Sequence, residues 1–197
     1  MEGDTNMKRS EINAAIHSAR DAFDDARWAL PPNARWDVTD FGLGQFSTKG
    51  LVLVNLAEEP EYCEKIMFAV RDQKTVAHCH GKKKEDIIVR RGTLRVQLWP
   101  GHPNQNTCAT VTLRINGEER TIPSGTIIEL KSGERVTIRP GVYHEFWPAS
   151  ATCLIGEVST ANDDVGDNFF ADTRIGRFPA IEEDEPAIVR LVGERPS

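Results

Sequence analysis

Residues 77–92, AHCHGKKKEDIIVRRG, hold two of the five histidines of this chain one residue apart, followed by three lysines and a glutamate. Successive side chains on a strand point to opposite faces, so His78 and His80 share one face and Cys79 takes the other. Both imidazoles can then reach a single metal ion. The four residues Gly81 to Lys84 allow a turn that brings Glu85 in at the start of the next strand, where a carboxylate oxygen joins two ring nitrogens. A third histidine of this kind, His144, lies far downstream in GERVTIRPGVYHEFW, and Pro140-Gly141 is expected to turn the chain back into the sheet just before it. His17 is expected at a helix surface and His102 at a loop tip.

The flanking sequence has the texture of a β-protein. Short runs rich in Val, Ile, Thr and Phe, broken by Gly, Pro, Asn and Asp, predict strands at GLVLVNL, EKIMFAVR, TVAHCH, EDIIVRRG, TLRVQLW, CATVTLRI, TIIEL, RVTIRP, VYHEFWP and CLIGEVS. Asn116-Gly117 is a hairpin signal. Many short strands with almost no helical pattern among them indicate an antiparallel sandwich or barrel. Ahead of them, Ile12, Ala15, Ile16, Ala19, Phe23 and Ala26 form one apolar stripe at helical spacing. The expected helix is capped by Ser10, with Glu11 in its first turn, and stops near Leu30 before Pro31 and Pro32. The chain is therefore expected to divide into a helical extension, 1–35, packed on a β-barrel, 36–197. The run IEEDEP near the C-terminus reads as a solvated turn before a last short apolar strand.

Composition narrows the function. A length of 197 residues suits one core, and 39% hydrophobic with 27% charged residues is ordinary for a globular chain. A net charge of -6 argues against nucleic acid or an anionic membrane as partner and suits a small polar ligand. No apolar run approaches membrane-spanning length and MEGDTNMKRSE has no apolar signal core, so a cytoplasmic protein is expected. Cys63, Cys79, Cys108 and Cys153 form no CxxC pair and are expected as reduced, buried residues.

The spacing of His78, His80, Glu85 and Gly92, then Gly133, Gly141 and His144, resembles the two motifs of the cupin superfamily, small β-barrels built as a double-stranded β-helix or jelly roll. Arg139 stands where the second motif has proline, and Pro148 where it has asparagine; neither position is a ligand. Within that superfamily HCHGKKKEDIIVRRG, PGVYHEFW, GEVSTANDDVGDNFF and IEEDEP, with MKRSEIN and LPPNARW near the N-terminus, resemble the D-lyxose isomerase family, sugar isomerases that interconvert an aldose and its ketose. The resemblance covers nearly the whole chain.

It implies a divalent metal held by His78, His80, Glu85 and His144. Manganese suits such a mixed nitrogen and oxygen set, whereas catalytic zinc commonly keeps three protein ligands. Isomerisation moves a proton between C1 and C2 of the open-chain sugar, through a cis-enediol, so it also needs a base and a group to hold the developing oxyanion. Glu157, on the strand after His144, is the candidate base. Lys83 is the candidate ammonium because its offset before Glu85 matches the family; physics alone does not separate it from Lys82 and Lys84. Asp164, Asp167 and Asn168 are candidates for binding sugar hydroxyls. D-lyxose with D-xylulose, and D-mannose with D-fructose, are the expected sugar pairs, and the resemblance implies a homodimer. Two other functions fit a cupin metal site: a non-haem iron dioxygenase, and a sugar- or metal-binding cupin without catalysis.

Overall fold

The computed structural model describes residues 6–105, 108–160, 163, 166–175 and 180–194. In chain order the elements are β1 (Met7–Lys8), α1 (Arg9–Asp25), β2 (Arg35–Thr39), β3 (Leu51–Glu58), β4 (Tyr62–Val70), β5 (His78–Cys79), β6 (Glu85–Arg91), β7 (Thr93–Trp99), β8 (Thr110–Ile115), β9 (Glu118–Pro123), β10 (Thr126–Lys131), β11 (Arg135–Ile138), β12 (Tyr143–Pro148), β13 (Thr152–Thr160), β14 (Phe169–Phe170) and β15 (Ile181–Glu182). Eight strands form one sheet in the order β2-β3-β4-β13-β6-β11-β8-β9, and five form the other in the order β10-β7-β12-β5-β14. Within both sheets every pairing is antiparallel. This is the cupin double-stranded β-helix, with one helix on its outside.

Period-two alternation explains how one sheet serves two cores. Met67 and Ala69 of β4, and Cys153 and Ile155 of β13, face inward with Ile87, Val96, Leu98 and Phe146. The intervening Ile66, Phe68 and Leu154 face outward and meet Ile12, Ile16 and Phe23 of α1. Those three helix side chains are at most 1% exposed, and burying each contributes roughly 1.5–3 kcal/mol. The joint between the sheets is Gly92, the single residue between β6 and β7. Its φ is +99°, and a Cβ there would lie 2.5 Å from Ser150 Oγ and 2.6 Å from the Thr152 carbonyl oxygen, so only glycine passes. At Asn116-Gly117 both residues have positive φ, as the expected two-residue hairpin requires.

Several local expectations are corrected. The helix ends at Asp25 rather than near Leu30, because Arg27 adopts φ 54° and the Trp28 N–H donates to the Phe23 carbonyl at 2.8 Å. This reversal lays Trp28 against the outer core, where the Arg90 guanidinium covers its ring at 5.4 Å. Ser10 is not the cap. Lys8 holds that position and donates its N–H to Glu11, while Ser10 donates from both its N–H and its hydroxyl to Asp184 at 2.9 and 2.7 Å. The acidic run is exposed, as expected, but it is also tied to the helix: Glu183 accepts two bonds from Arg9 at 2.8 and 2.6 Å, and Glu185 accepts one from Asn13 at 2.6 Å. Acidic groups at the positive end of a helix are well placed electrostatically. Beyond them, Leu191 makes only an isolated bridge to Trp36 instead of a strand. All four cysteines are free thiols; Cys63, Cys79 and Cys153 are buried as expected, but Cys108, which precedes β8, is exposed.

The clamp between α1 and the tail is pH-sensitive in a known direction. Hydrogen bonding to Arg9 holds the Glu183 carboxyl below its usual range, and hydrogen bonding to Ser10 does the same for Asp184. A depressed folded-state value gives stability that is present above about pH 4.3, the unfolded glutamate value, and lost as pH falls through the folded one. Arg9→Met is expected to lower stability by about 1–2 kcal/mol at neutral pH. In urea titrations the gap from wild type should narrow in acid; a constant gap would show that charge does not hold the clamp.

Candidate active site

The inward rows change character toward one end of the barrel. On β4 the row runs Ala69, Met67, Lys65; on β13 it runs Cys153, Ile155, Glu157; on β6 it runs Val89, Ile87, Glu85. Register keeps the polar ends together, since Glu157 lies opposite Lys65 on one side and Ile87 on the other. Across the barrel, antiparallel pairing sets His144 of β12 opposite His78 of β5. The ends of these rows, Lys65, Met67, Glu157, Ile87 and Glu85, line one cavity with His78 and His144, and it opens to solvent.

The three histidines converge. Ligand atoms of His78, His80 and His144 lie within 4.8 Å of one another, so the triad could hold a metal ion. Each Nδ1 faces a backbone carbonyl: Val76 at 2.9 Å for His78, Asp167 at 2.9 Å for His80 and Val142 at 3.2 Å for His144. Carbonyls only accept, so each Nδ1 carries the proton and each Nε2 presents a lone pair. Glu85 Oε1 sits 3.0 Å from His144 Nε2 and 3.5 Å from His80 Nε2. His80 Nε2 and Glu85 Oε1 are buried without a hydrogen-bond partner among the described residues. Converging acceptors with no donor between them need a cation, and the donor set fits a divalent metal. Burial, then its histidine neighbours, holds the His78 imidazole well below its usual range, which keeps it neutral as a ligand must be.

Beside this group lies a buried ion-pair chain. Lys83 is 5% exposed, whereas Lys82 and Lys84 are exposed, so the structure separates three lysines that the sequence could not. Its Nζ donates to Glu157 Oε1 at 2.9 Å and lies 3.2 Å from Glu85 Oε2. Burial works against the Lys83 charge, yet Glu85 and Glu157 outweigh it and raise its pKa, so it stays an ammonium. Burial likewise opposes the Glu157 charge, but Lys83 and then Lys65 hold the carboxyl below its usual range.

The expected sugar-binding residues scatter. Asn168 lines the cavity, next to Phe170. Asp167 is absent from the wall; its carboxylate turns into the backbone of residues 81–83. Asp164 lies outside the described residues. Glu145, next in sequence to His144, turns away from the site and accepts from Lys74 at 2.8 Å. Sequence reasoning missed Asp37 and Lys65, which both line the cavity. A signal for Lys65 existed: it shares strand parity with Met67 and Ala69, and a lysine at a core position is rarely idle.

Relatives bear directly on this arrangement. Residues 33–195 match the family model for D-lyxose isomerase. The chain is 35% identical to the D-lyxose/D-mannose isomerase of Escherichia coli O157:H7, over 95% of this chain and 98% of the other. The chain belongs to the D-lyxose isomerase family. The D-lyxose ketol-isomerase of Cohnella laeviribosi, 29% identical over 91% of this chain and all of its own length, is a further relative. Among solved structures, the L-ribose isomerase of Acinetobacter sp. DL28 superposes with a TM-score of 0.68 at 14% identity, covering 92% of this chain and 100% of the other. At that identity it speaks for the fold alone. Membership in the D-lyxose isomerase family makes this protein a sugar isomerase acting between aldose and ketose forms, and leaves the dioxygenase and the non-catalytic cupin without support. No helix among the described residues is long and apolar enough to cross a membrane.

Proposed function

We propose that this protein interconverts D-lyxose with D-xylulose, and D-mannose with D-fructose, by moving a proton between C1 and C2 through a cis-enediol. The observation that carries the reading is the Lys83–Glu157 pair, 2.9 Å apart and buried beside the converging lone pairs of His78, His80, His144 and Glu85. Those four residues would hold a divalent metal, manganese in this reading, which supplies Lewis acidity toward the sugar carbonyl.

The chain's own residues do the rest. Glu157, ionised beside Lys83, takes the proton from C2 of the open-chain aldose and returns it at C1, while the hydroxyl proton passes from O2 to O1 so that the C1 carbonyl becomes a hydroxyl and C2 the new carbonyl. Lys83, held as an ammonium, balances the negative charge that spreads onto the oxygens at C1 and C2. The apolar part of the wall, including Phe41, Phe146 and Phe170, limits water around the transferring proton. Asn168 is assigned to the sugar hydroxyls, joined by Lys65 and Asp37 on the same wall. The similarity to the D-lyxose/D-mannose isomerase of Escherichia coli O157:H7 supports these sugars. A homodimer in the cytoplasm belongs to the same reading.

The test is direct. Purified protein loaded with manganese is expected to form ketose from D-lyxose and D-mannose, followed by NMR, and to stop when a chelator removes the metal. No ketose from either sugar would remove this reading.

A further inference from the structure

Asp167 sits one turn behind the site and joins two of its parts. Its Oδ1 accepts the N–H groups of Gly81 and Lys82 at 2.9 and 3.0 Å, and its Oδ2 accepts that of Lys83 at 2.9 Å. The residue is 4% exposed. Its own N–H donates to the Asp163 carbonyl at 2.9 Å, and the following Phe169 pairs with Cys79 of β5, so the carboxylate is carried on an anchored segment. The fit is close: a Cβ on Gly81 would lie 3.1 Å from Asp167 Oδ1 and 3.2 Å from the Phe169 ring. Three consecutive backbone donors around one carboxylate form an anion nest, filled here by the protein's own side chain.

Three adjacent lysines in a turn repel one another, and ordering a long ammonium chain costs up to about 2 kcal/mol in rotamer freedom. We propose that Asp167 is a positioning residue for the isomerisation: its carboxylate fixes the 81–83 turn so that the Lys83 ammonium reaches Glu157 and the reacting oxygens. The inference rests on the isomerase reading above and adds a residue that touches neither sugar nor metal. Backbone and side chain divide the labour. The Asp167 carbonyl holds the Nδ1 proton of His80, and the carboxylate holds the turn that carries Lys83. A substitution at 167 therefore removes the second function and leaves the first.

The experiment is a double-mutant cycle on manganese-loaded protein. Asp167→Asn keeps one acceptor oxygen but turns an NH2 group toward backbone donors. It is expected to lower kcat on D-lyxose about 10–100-fold with metal content unchanged, and to alter KM less than about 3-fold. In a Lys83→Ala background the same substitution should cost less than about 2-fold more, because the group it positions is already gone. A kcat within about 2-fold of wild type, a loss of metal in step with activity, or the full loss recurring in the Lys83→Ala background would each overturn the assignment. Should Asp167→Asn fail to fold, Gly81→Ala displaces the same carboxylate without deleting it; the same selective fall in kcat is expected, and unchanged kcat contradicts the proposal. A wild-type protein that isomerises neither sugar removes the reading beneath it instead, which is a different result from an active wild type beside an unaffected Asp167→Asn.

Discussion

Glu157→Gln is expected to fold, to keep its metal, and to lose turnover by about 10²–10⁴-fold, the usual worth of a positioned acid-base group. Glutamine matches the shape of the side chain but cannot take up a proton at C2. The fold should survive because Lys83 keeps Glu85 as a buried counter-ion at 3.2 Å, so the substitution does not strand its charge. Metal content should hold because Glu157 reaches the site through Lys83 rather than through the histidines. Turnover and metal content measured on the same preparation decide the matter: unchanged turnover removes Glu157 as the base, and a parallel loss of metal moves it into the ligand set.

His144→Ala should fail for the opposite reason. His144 is 1% exposed, and its Nε2 faces Glu85 Oε1 at 3.0 Å with Nδ1 already committed to Val142. Removing the ring deletes one of the three converging nitrogens and leaves the Glu85 carboxylate facing a hole. Substitutions of groups that merely orient metal ligands cost about 10–100-fold, so deletion of a ligand should exceed the upper end of that range in activity, with little metal retained after dialysis. Elemental analysis alongside turnover checks this. Full metal content with full activity would show that the cation sits elsewhere.

Much of this was legible before the structure, and the reason lies in periodicity. Nine of the ten strand runs read from Val, Ile, Thr and Phe appear as strands of four residues or more, because period-two burial leaves its mark on composition, and TVAHCH keeps only His78–Cys79. His78 and His80 reveal their shared face for the same reason, and their rings stand 5.1 Å apart. What sequence spacing could not show is long-range. The strand β2 was missed because Arg35–Thr39 is short and follows a helix whose end is set by a left-handed residue, Arg27, not by the prolines. The acidic run is solvated as it reads, but its tethering was hidden because its partners, Arg9, Ser10 and Asn13, lie more than 170 residues away in the chain. Lys83 became distinct from its neighbours only through burial against Glu157, and Asp167 exchanged a ligand-binding role for a backbone one because three N–H groups surround it.

In the proposed reaction Glu157 moves a proton between C1 and C2 of an open-chain sugar while Lys83 balances the charge. Running the D-lyxose reaction in heavy water with the manganese-loaded protein, and following the ketose by NMR, tests it most directly. D-xylulose carrying deuterium at C1 is expected, since a carboxylate that takes up the substrate proton can exchange it before returning it. Ketose formed with no deuterium at any stage of the reaction would contradict a shuttle that exchanges with solvent and leave a hydride transfer or a shielded one.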